Sequence, residues 1–190
     1  MESTSRTVSE GAMQSEWTEI QRAQREPAAF RVLYERYYDP IFRFVFRRTA
    51  DESLTADLCS QVFLKALQKL GKYQYRGVPF SAWLYRIATN EVTQHFRDAG
   101  KHRTVSVDDH HLQQIAEEME SRRSFTVEQM IAQLPNLRER DVQILELRFF
   151  EQRSFREVAE ILEITESNAK VRTYRVLERL RKLMEKTTPA

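Results

Sequence analysis

The segment over residues 154–185 constrains the fold more than any other, because it carries the signals of two helices separated by a very short turn. Ser154 and Glu157 have the spacing of a capping box, and the apolar residues that follow keep the period of a short helix. Residues 162–164 form the predicted turn, and Thr165 is placed to cap the next helix. The pattern therefore predicts a helix-turn-helix.

The second of these helices combines an apolar stripe with a strongly basic face. The predicted stripe consists of Ala169, Tyr174, Leu177, Leu180 and either Leu183 or Met184. Cations far outnumber Glu178 and Glu185 on the remaining positions, which hold Lys170, Arg172, Arg175, Arg179, Arg181, Lys182 and Lys186. The basic face alone favours a plain amphipathic helix with a solvated surface. Because both helices are capped around a short turn, we predict instead that the second helix enters the DNA major groove.

The turn position Glu163 is unusual for such a motif. Glycine is common there, because the chain often adopts a left-handed conformation after the first helix. A residue with a side chain costs roughly 1 kcal/mol in that conformation. We therefore expect a strained turn that the domain can tolerate.

Composition predicts an all-α protein made of two small helical domains joined by a linker. The chain has 190 residues with only 4 glycines and 5 prolines, and 31% of its residues are charged. Few turn formers disfavour sheets with tight hairpins, and many charges suit small domains with much surface. The net charge is +2, so any affinity for nucleic acid must come from local clusters of cations.

Several functional classes are disfavoured by the sequence. The single cysteine, Cys59, excludes an internal disulfide, and its apolar flanks predict a buried thiol. The chain lacks an apolar run of membrane-spanning length and a secretory signal, so we expect a cytoplasmic protein. The pair His110 and His111 has no further metal ligands nearby, and no glycine-rich phosphate loop or catalytic motif occurs. We expect no metal, no cofactor and no enzymatic activity.

The chain order predicts four segments. They are a disordered tail over residues 1–15, a helical domain over 16–104, an acidic linker over 105–123 and the helix-turn-helix domain over 124–187.

In the first domain, helices are predicted from Glu16 or Trp17 to Arg25, from Pro27 to Thr49, from Glu52 to Leu70 and from Phe80 to Ala99. Pro40 is expected to break or bend the second helix, and Gly71 to end the third. The aromatic residues of the second helix are expected to form the domain core. The last domain should hold helices over 126–134 and 137–150 before the helix-turn-helix.

The loop KYQYRGVPF, residues 72–80, interleaves aromatic rings with cations. Such loops bind single-stranded nucleic acid, because bases stack on the rings while cations meet phosphates. The alternative is that these rings seal the helical bundle. That plainer interpretation is favoured for Trp83, whereas for Tyr75 and Arg76 the two remain open.

These pieces, in this order, resemble the bacterial RNA polymerase sigma factors of the extracytoplasmic-function (ECF) class. The resemblance is carried by DLCSQVFLKALQKL (57–70), by FSAWLYRIATNEVTQHFRDAGKHR (80–103) and by the segment from LPNLRERD to ERLRKL (134–183). It implies a subunit that binds core RNA polymerase and helps to recognise and melt promoters. Glu163 and Ala169 depart from the family pattern, which leaves open which residue meets which base.

The resemblance also implies roles for particular residues. Those expected to bind the minus-ten element as single strand are Tyr75, Arg76, Gly77, Val78, Trp83 and Asn90. Those expected to read the minus-thirty-five element as duplex are Asn168, Lys170, Val171, Arg172, Tyr174 and Arg175. Those expected to dock on core polymerase are Asp57, Leu58, Gln61 and Lys65.

The family implies three partners: core RNA polymerase, promoter DNA and an anti-sigma factor. The competing hypothesis is a helix-turn-helix regulator that acts without polymerase. It would leave the surface over residues 57–70 and the aromatic loop unexplained.

Overall fold

The computed structural model describes residues 10–99, 115 and 132–187. All regular elements in these ranges are helices and none is a strand, which confirms the predicted all-α class. The described chain forms two compact units, one built from the helices up to Asp98 and the other largely from those after Leu134. Residues 1–9, all of the predicted linker except Ile115, and most of the predicted helix over 126–134 lie outside the described ranges.

The N-terminal unit is a bundle of four α-helices. They are α1 (Glu10–Arg25), α2 (Phe30–Thr49), α3 (Glu52–Lys69) and α4 (Phe80–Asp98), with short 3-10 turns at Pro27–Ala29 and Leu70–Lys72. Asp51 caps α3 as predicted, because its Oδ1 accepts the N–H of Leu54 at 2.9 Å. Helices α2, α3 and α4 pack against one another, and α1 packs on α2.

The core of this unit comes from apolar residues three and four positions apart on α2, α3 and α4. The side chains with no exposed surface include Leu33, Ile41, Phe44, Val45, Cys59, Val62, Ala66, Leu84, Ala88 and Val92. This spacing places them on one face of each helix, which is the physical basis of the bundle. The predicted burial of Cys59 is confirmed.

Helix α1 begins at Glu10, so the predicted disordered tail is wrong for residues 10–15. Ala12, Met13 and Gln14 are good helix formers, and no proline precedes Glu16 within the helix to stop it. Once the packed part of a helix has formed, extending it by another turn of good helix formers costs little free energy, because each added residue forms a hydrogen bond.

Helix α2 runs unbroken through Pro40, so of the predicted break or bend the break is wrong. A proline inside a helix removes one hydrogen bond and clashes with the preceding turn, at a cost of about 3 kcal/mol. Ile41, Phe44 and Val45 follow directly and are fully buried. Each such burial stabilises by about 1.5–3 kcal/mol, so packing outweighs the proline.

The aromatic residues of α2 divide between two faces. Tyr34, Tyr38, Phe42 and Phe46 stack along one edge of the helix, with successive ring centroids 5.3, 5.8 and 6.2 Å apart. Tyr34 and Phe46 are exposed, so their predicted place in the core is wrong, whereas Phe30 is buried as expected. Both faces keep a helical period, and only the position of the neighbouring helices decides which one is covered.

The predicted end of α3 next to Gly71 is confirmed, since α3 ends at Lys69, but Gly71 is not left-handed. Helix α3 continues into the 3-10 turn at Leu70–Lys72, and a side chain from α1 caps this end. Gln24 Nε2 donates to the carbonyl oxygens of Leu70 and Tyr73, each at 2.9 Å. A tertiary contact therefore satisfies carbonyl groups that a local cap was expected to satisfy.

The C-terminal unit holds the predicted helix-turn-helix. A 3-10 turn at Leu134–Asn136 precedes α5 (Glu139–Leu145), which continues as a π-helical turn at Glu146–Phe150. Two further helices follow, α6 (Phe155–Leu162) and α7 (Glu166–Thr187). The predicted helix over 137–150 is thus correct in extent to within two residues at its start, and the π-helical turn was not foreseen.

The local signals of the helix-turn-helix are confirmed. Ser154 Oγ accepts the N–H of Glu157 at 3.2 Å, and Glu157 Oε2 accepts the N–H of Ser154 at 2.9 Å, which completes the capping box. Thr165 Oγ1 accepts the N–H of Asn168 at 3.2 Å. Glu163 is left-handed, with φ 54° and ψ 43°, as expected for the turn.

The buried stripe of α7 differs from the predicted one at Tyr174, which is 47% exposed. The observed stripe consists of Ala169, Thr173, Val176, Leu177, Leu180 and Met184. These positions keep a spacing of three and four, and Tyr174 lies one residue out of step. The stripe turns the opposite face of α7 outward.

Candidate nucleic-acid interface

The first three turns of α7 present an exposed polar and cationic face. All six residues predicted to read duplex DNA are exposed: Asn168, Lys170, Val171, Arg172, Tyr174 and Arg175. The face offers an amide, an ammonium group and guanidinium groups, which are the donors that bind base edges and phosphates in a major groove. Its exposure follows from the stripe on the other side of the helix, which packs on α5.

Phe155, at the start of α6, supports this face and was not singled out from the sequence. Its ring lies 5.9 Å from Lys170 Nζ and 6.3 Å from the ring of Tyr174. The guanidinium of Arg148 lies over the same ring at 4.9 Å. An aromatic residue directly after a helix cap, where polar residues are common, is the signal that would have identified it.

The charge of α7 is uneven along its length. Glu178 lies 2.9 Å from Arg181 and 3.5 Å from Lys182, and its hydrogen bond with Arg181 lowers the pKa of Glu178. Arg179 is paired with Asp141 of α5. Among the described residues, Arg172 and Arg175 form no ion pair. Uncompensated positive charge is therefore concentrated on the N-terminal half of the face, where base and phosphate contacts are expected.

The aromatic loop between α3 and α4 combines exposed and buried residues. Tyr75 is 37% exposed, and the side chain of Arg76 is 65% exposed. Gly77 has φ 72°, a conformation that favours glycine. Asn90 is exposed on α4. The predicted residues Tyr75, Arg76 and Asn90 are thus accessible to a ligand.

Val78 and Trp83 are buried, so the expectation that their side chains meet DNA directly is not met in this conformation. The ring of Trp83 lies 4.9 Å from that of Tyr73 and 5.3 Å from that of Phe80. Burial also raises the pKa of the Tyr73 hydroxyl above its usual value. The plainer interpretation of Trp83, that it seals the bundle, fits this packing.

The outer face of α3 contains only part of the predicted docking set. Asp57 and Gln61 are exposed, whereas Leu58 is 2% exposed and packs in the core, so its contact with polymerase stays a prediction. Lys65 Nζ lies 2.6 Å from Glu91 Oε2 of α4, which ties α3 to α4. Leu64 is 56% exposed and was not singled out. Its spacing of three from Gln61 and seven from Asp57 would have placed it on the same face.

Other chemistry finds little support in the described residues. They contain no group of three or more His, Cys, Asp or Glu side chains that could hold a metal ion. Burial raises the pKa of the Cys59 thiol to about 12, so it stays protonated. No helix in the described ranges combines the length and apolar character that crossing a membrane requires.

Comparison with known proteins decides the family. The Sigma-70 region 2 family matches residues 33–102, and the Sigma-70 region 4 family matches residues 125–180. RNA polymerase sigma factor YlaC of Bacillus subtilis is 30% identical over 159 residues, which cover 82% of this chain and 91% of that protein. ECF RNA polymerase sigma factor BldN of Streptomyces coelicolor is 29% identical over 170 residues, or 87% of this chain. The chain belongs to the sigma factors of the ECF class.

The predicted identity is therefore confirmed. The match covers 64% of the length of BldN, so this sigma factor spans somewhat less than two thirds of that relative. Its fold is similar to that of the sigma factor RpoE of Bartonella quintana, solved in complex with the anti-sigma factor NepR. The TM-score is 0.57 at 18% identity, with 82% of this chain and 96% of the other covered. Both family matches are to sigma-factor regions, and neither is to a stand-alone regulator.

Proposed function

We propose that this sigma factor binds core RNA polymerase and directs it to promoters, where it reads the minus-ten element as melted single strand and the minus-thirty-five element as duplex. The observation that carries the proposal is the presence of two nucleic-acid-binding chemistries on two compact units of one chain. One unit exposes an aromatic and basic loop, and the other exposes a capped helix with uncompensated cations. Neither surface alone would distinguish a sigma factor from a simpler DNA-binding protein.

Helix α7 would lie in the major groove of the minus-thirty-five element. Residues near its N-terminus would meet base edges, with Asn168 suited to adenine and Lys170 or Arg172 to guanine. Tyr174 and Val171 would offer apolar contact to thymine methyl groups. Arg175, one to two turns further along, would reach a phosphate or a guanine edge. Each good bidentate contact with a base contributes about 1–3 kcal/mol of discrimination.

The aromatic loop would capture a base that leaves the duplex during melting. Flipping a base costs a few kcal/mol of unstacking, and stacking on an aromatic ring is worth about 1–3 kcal/mol per base. Tyr75 would provide the ring, Arg76 would meet the backbone phosphate, and Asn90 would offer hydrogen bonds to the base. Gly77 would keep the loop in a conformation that other residues adopt only with strain.

Docking on the polymerase would use the outer face of α3. Asp57 and Gln61 would provide polar contacts, and the exposed side chain of Leu64 would add apolar area one turn further along. Lys65 would act on this surface indirectly, since its ion pair with Glu91 holds α3 against α4. The chain itself would catalyse no reaction, because RNA synthesis belongs to the polymerase.

Partners and location follow from the proposed activity. A protein that works with RNA polymerase on chromosomal promoters acts in the cytoplasm. We also propose an anti-sigma factor as a partner, which would cover both units and block polymerase. RpoE of Bartonella quintana, which shares the fold, is bound by such a protein.

The direct test is run-off transcription with purified core polymerase, this chain and a library of genomic promoters. We expect specific transcripts that need both proteins, and stable association of the chain with the core enzyme in a pull-down. A chain that binds duplex DNA and ignores the core enzyme would contradict the proposal.

Variants then separate the two surfaces. We expect Arg175→Ala or Lys170→Ala to lower promoter-specific transcription about tenfold while core binding survives. Lys182→Ala is the matched control, because its charge is already offset by Glu178 at 3.5 Å. Loss of core binding in the α7 variants would mean that the C-terminal unit has been misassigned.

A further inference from the structure

Helix α1 contacts both ends of the loop over residues 73–79, which we call the minus-ten loop. At the first end, Gln24 Nε2 donates to the carbonyl oxygens of Leu70 and Tyr73, each at 2.9 Å. At the second end, Glu16 Oε2 accepts the N–H of Phe80 at 3.0 Å. Since the residue before α4 is Pro79, which offers no capping side chain, a carboxylate from another helix takes this role.

Glu16 is held firmly in that position. Its carboxylate is buried, it accepts a hydrogen bond from the hydroxyl of Tyr37, and Arg36 lies 3.8 Å from it. A buried carboxylate needs such partners, because desolvation without them is costly. The end of the loop is therefore fixed to α1 by a satisfied polar cluster.

The middle of the loop touches α1 through Tyr75. The ring of Trp17 lies 6.1 Å from the ring of Tyr75 and 6.1 Å from the ring of Tyr73. The hydroxyl of Tyr75 donates to Met13 Sδ at 3.5 Å. Tyr75 is thus packed on its α1 side and 37% exposed overall.

We propose that Trp17 is a positioning residue for binding of the melted promoter strand, because it holds the Tyr75 ring in the orientation in which a base can stack on it. The inference rests on the proposed function of the minus-ten loop. A side chain that is already ordered loses less rotamer freedom when it binds, so preorganisation increases affinity without a new contact to the ligand. Trp17 would act through Tyr75 and not by touching DNA.

A double-mutant cycle on the holoenzyme tests this mechanism. The probe is a fluorescent non-template oligonucleotide that spans the minus-ten element of a promoter transcribed by the wild-type holoenzyme, and binding is followed by anisotropy. We expect Trp17→Ala to weaken binding about fivefold or more, and Tyr75→Ala to weaken it at least as much. The double variant should be no weaker than Tyr75→Ala, because Trp17 has nothing left to position.

Further variants exclude a loss of folding as the cause. Trp17→Phe keeps an aromatic face and should recover most of the affinity. Thr18→Ala, on an exposed position of the same helix, should leave binding unchanged. Core affinity and thermal unfolding, measured on each variant, should change much less than binding of the oligonucleotide.

The outcomes are distinct. Additive losses in the double variant would mean that Trp17 contacts the strand itself, and parallel losses of core and strand affinity would make it a general structural residue. Either result would overturn the inference and leave the proposed function standing. Failure of the wild-type holoenzyme to bind any such strand would overturn the part of the proposed function in which the minus-ten loop reads a melted single strand.

Discussion

Replacement of Glu163 by glycine should stabilise the C-terminal unit. Glu163 follows α6 in a left-handed conformation, and the next N–H, that of Ile164, donates to the carbonyl of Ala159 at 3.0 Å. This is the 6→1 bond of a Schellman motif, whose left-handed position is usually glycine. The conformation costs a residue with a side chain about 1–2 kcal/mol, and the extra freedom of glycine in the unfolded chain offsets about 0.5–1 kcal/mol. We expect a net gain of about 0.5–1 kcal/mol.

Hydrogen exchange on the full-length chain measures the gain in stability of the C-terminal unit separately from that of the N-terminal unit. The gain corresponds to roughly twofold to fivefold slower exchange for amides of α6 and α7 that open with the whole unit. The thermal midpoint of a small domain should rise by roughly 2–6 °C. Amides of the N-terminal unit provide an internal reference, since the substitution does not alter their packing.

Two controls isolate the backbone effect. Glu163→Ala removes the same side chain but keeps the strained conformation, so it should change stability far less than Glu163→Gly. Lys182→Gly places glycine on an exposed position inside α7, where it should cost about 1 kcal/mol. If Glu163→Gly proves no more stable than Glu163→Ala, the reasoning from backbone strain is refuted.

Other substitutions test further parts of the fold. Gly71→Ala should stabilise by about 0.4–1 kcal/mol in chemical denaturation, because a methyl group there meets no atom within 4 Å, whereas Gly77→Ala should destabilise because φ is 72° at that position. Ser154→Ala should cost about 1 kcal/mol through loss of the α6 cap, and an unchanged denaturation midpoint would contradict the capping box. Burial raises the pKa of Cys59 to about 12 from an ordinary value of 9.0, so its thiol should resist thiol reagents at neutral pH in the native chain. As pH rises above 9.0 the unfolded chain loses this proton first, so stability should fall, and less steeply in Cys59→Ala.

In the helix-turn-helix, capping residues and the turn could be predicted from short stretches of sequence. Ser154, Glu157 and Thr165 act on backbone groups within three residues of themselves, so their roles can be read without knowing any distant contact. The strained conformation of Glu163 follows from the same short-range geometry. The sequence predicts the exposed face of α7 as well, although the predicted stripe behind it wrongly includes Tyr174, which is 47% exposed.

In the N-terminal unit, the sequence pattern did not predict which helix faces are buried. The spacing of Tyr34, Tyr38, Phe42 and Phe46 is as helical as that of the buried residues beside them, so periodicity could not tell covered from uncovered faces. On α3, Leu64 is 56% exposed although Leu58, whose spacing is equally helical, is buried. The unbroken helix at Pro40 depended on the burial of its neighbours, which propensity alone does not contain.

By itself the sequence determined the helical class, the caps, the strained turn and the family, because each depends on residues close together in the chain or on the order of segments. Tertiary structure alone decided that α1 supports the minus-ten loop, since Gln24 and Glu16 meet backbone groups 46 to 64 positions away. Contacts across such separations form only when packing brings the helices together, so neither helical periodicity nor capping residues in the sequence predict them.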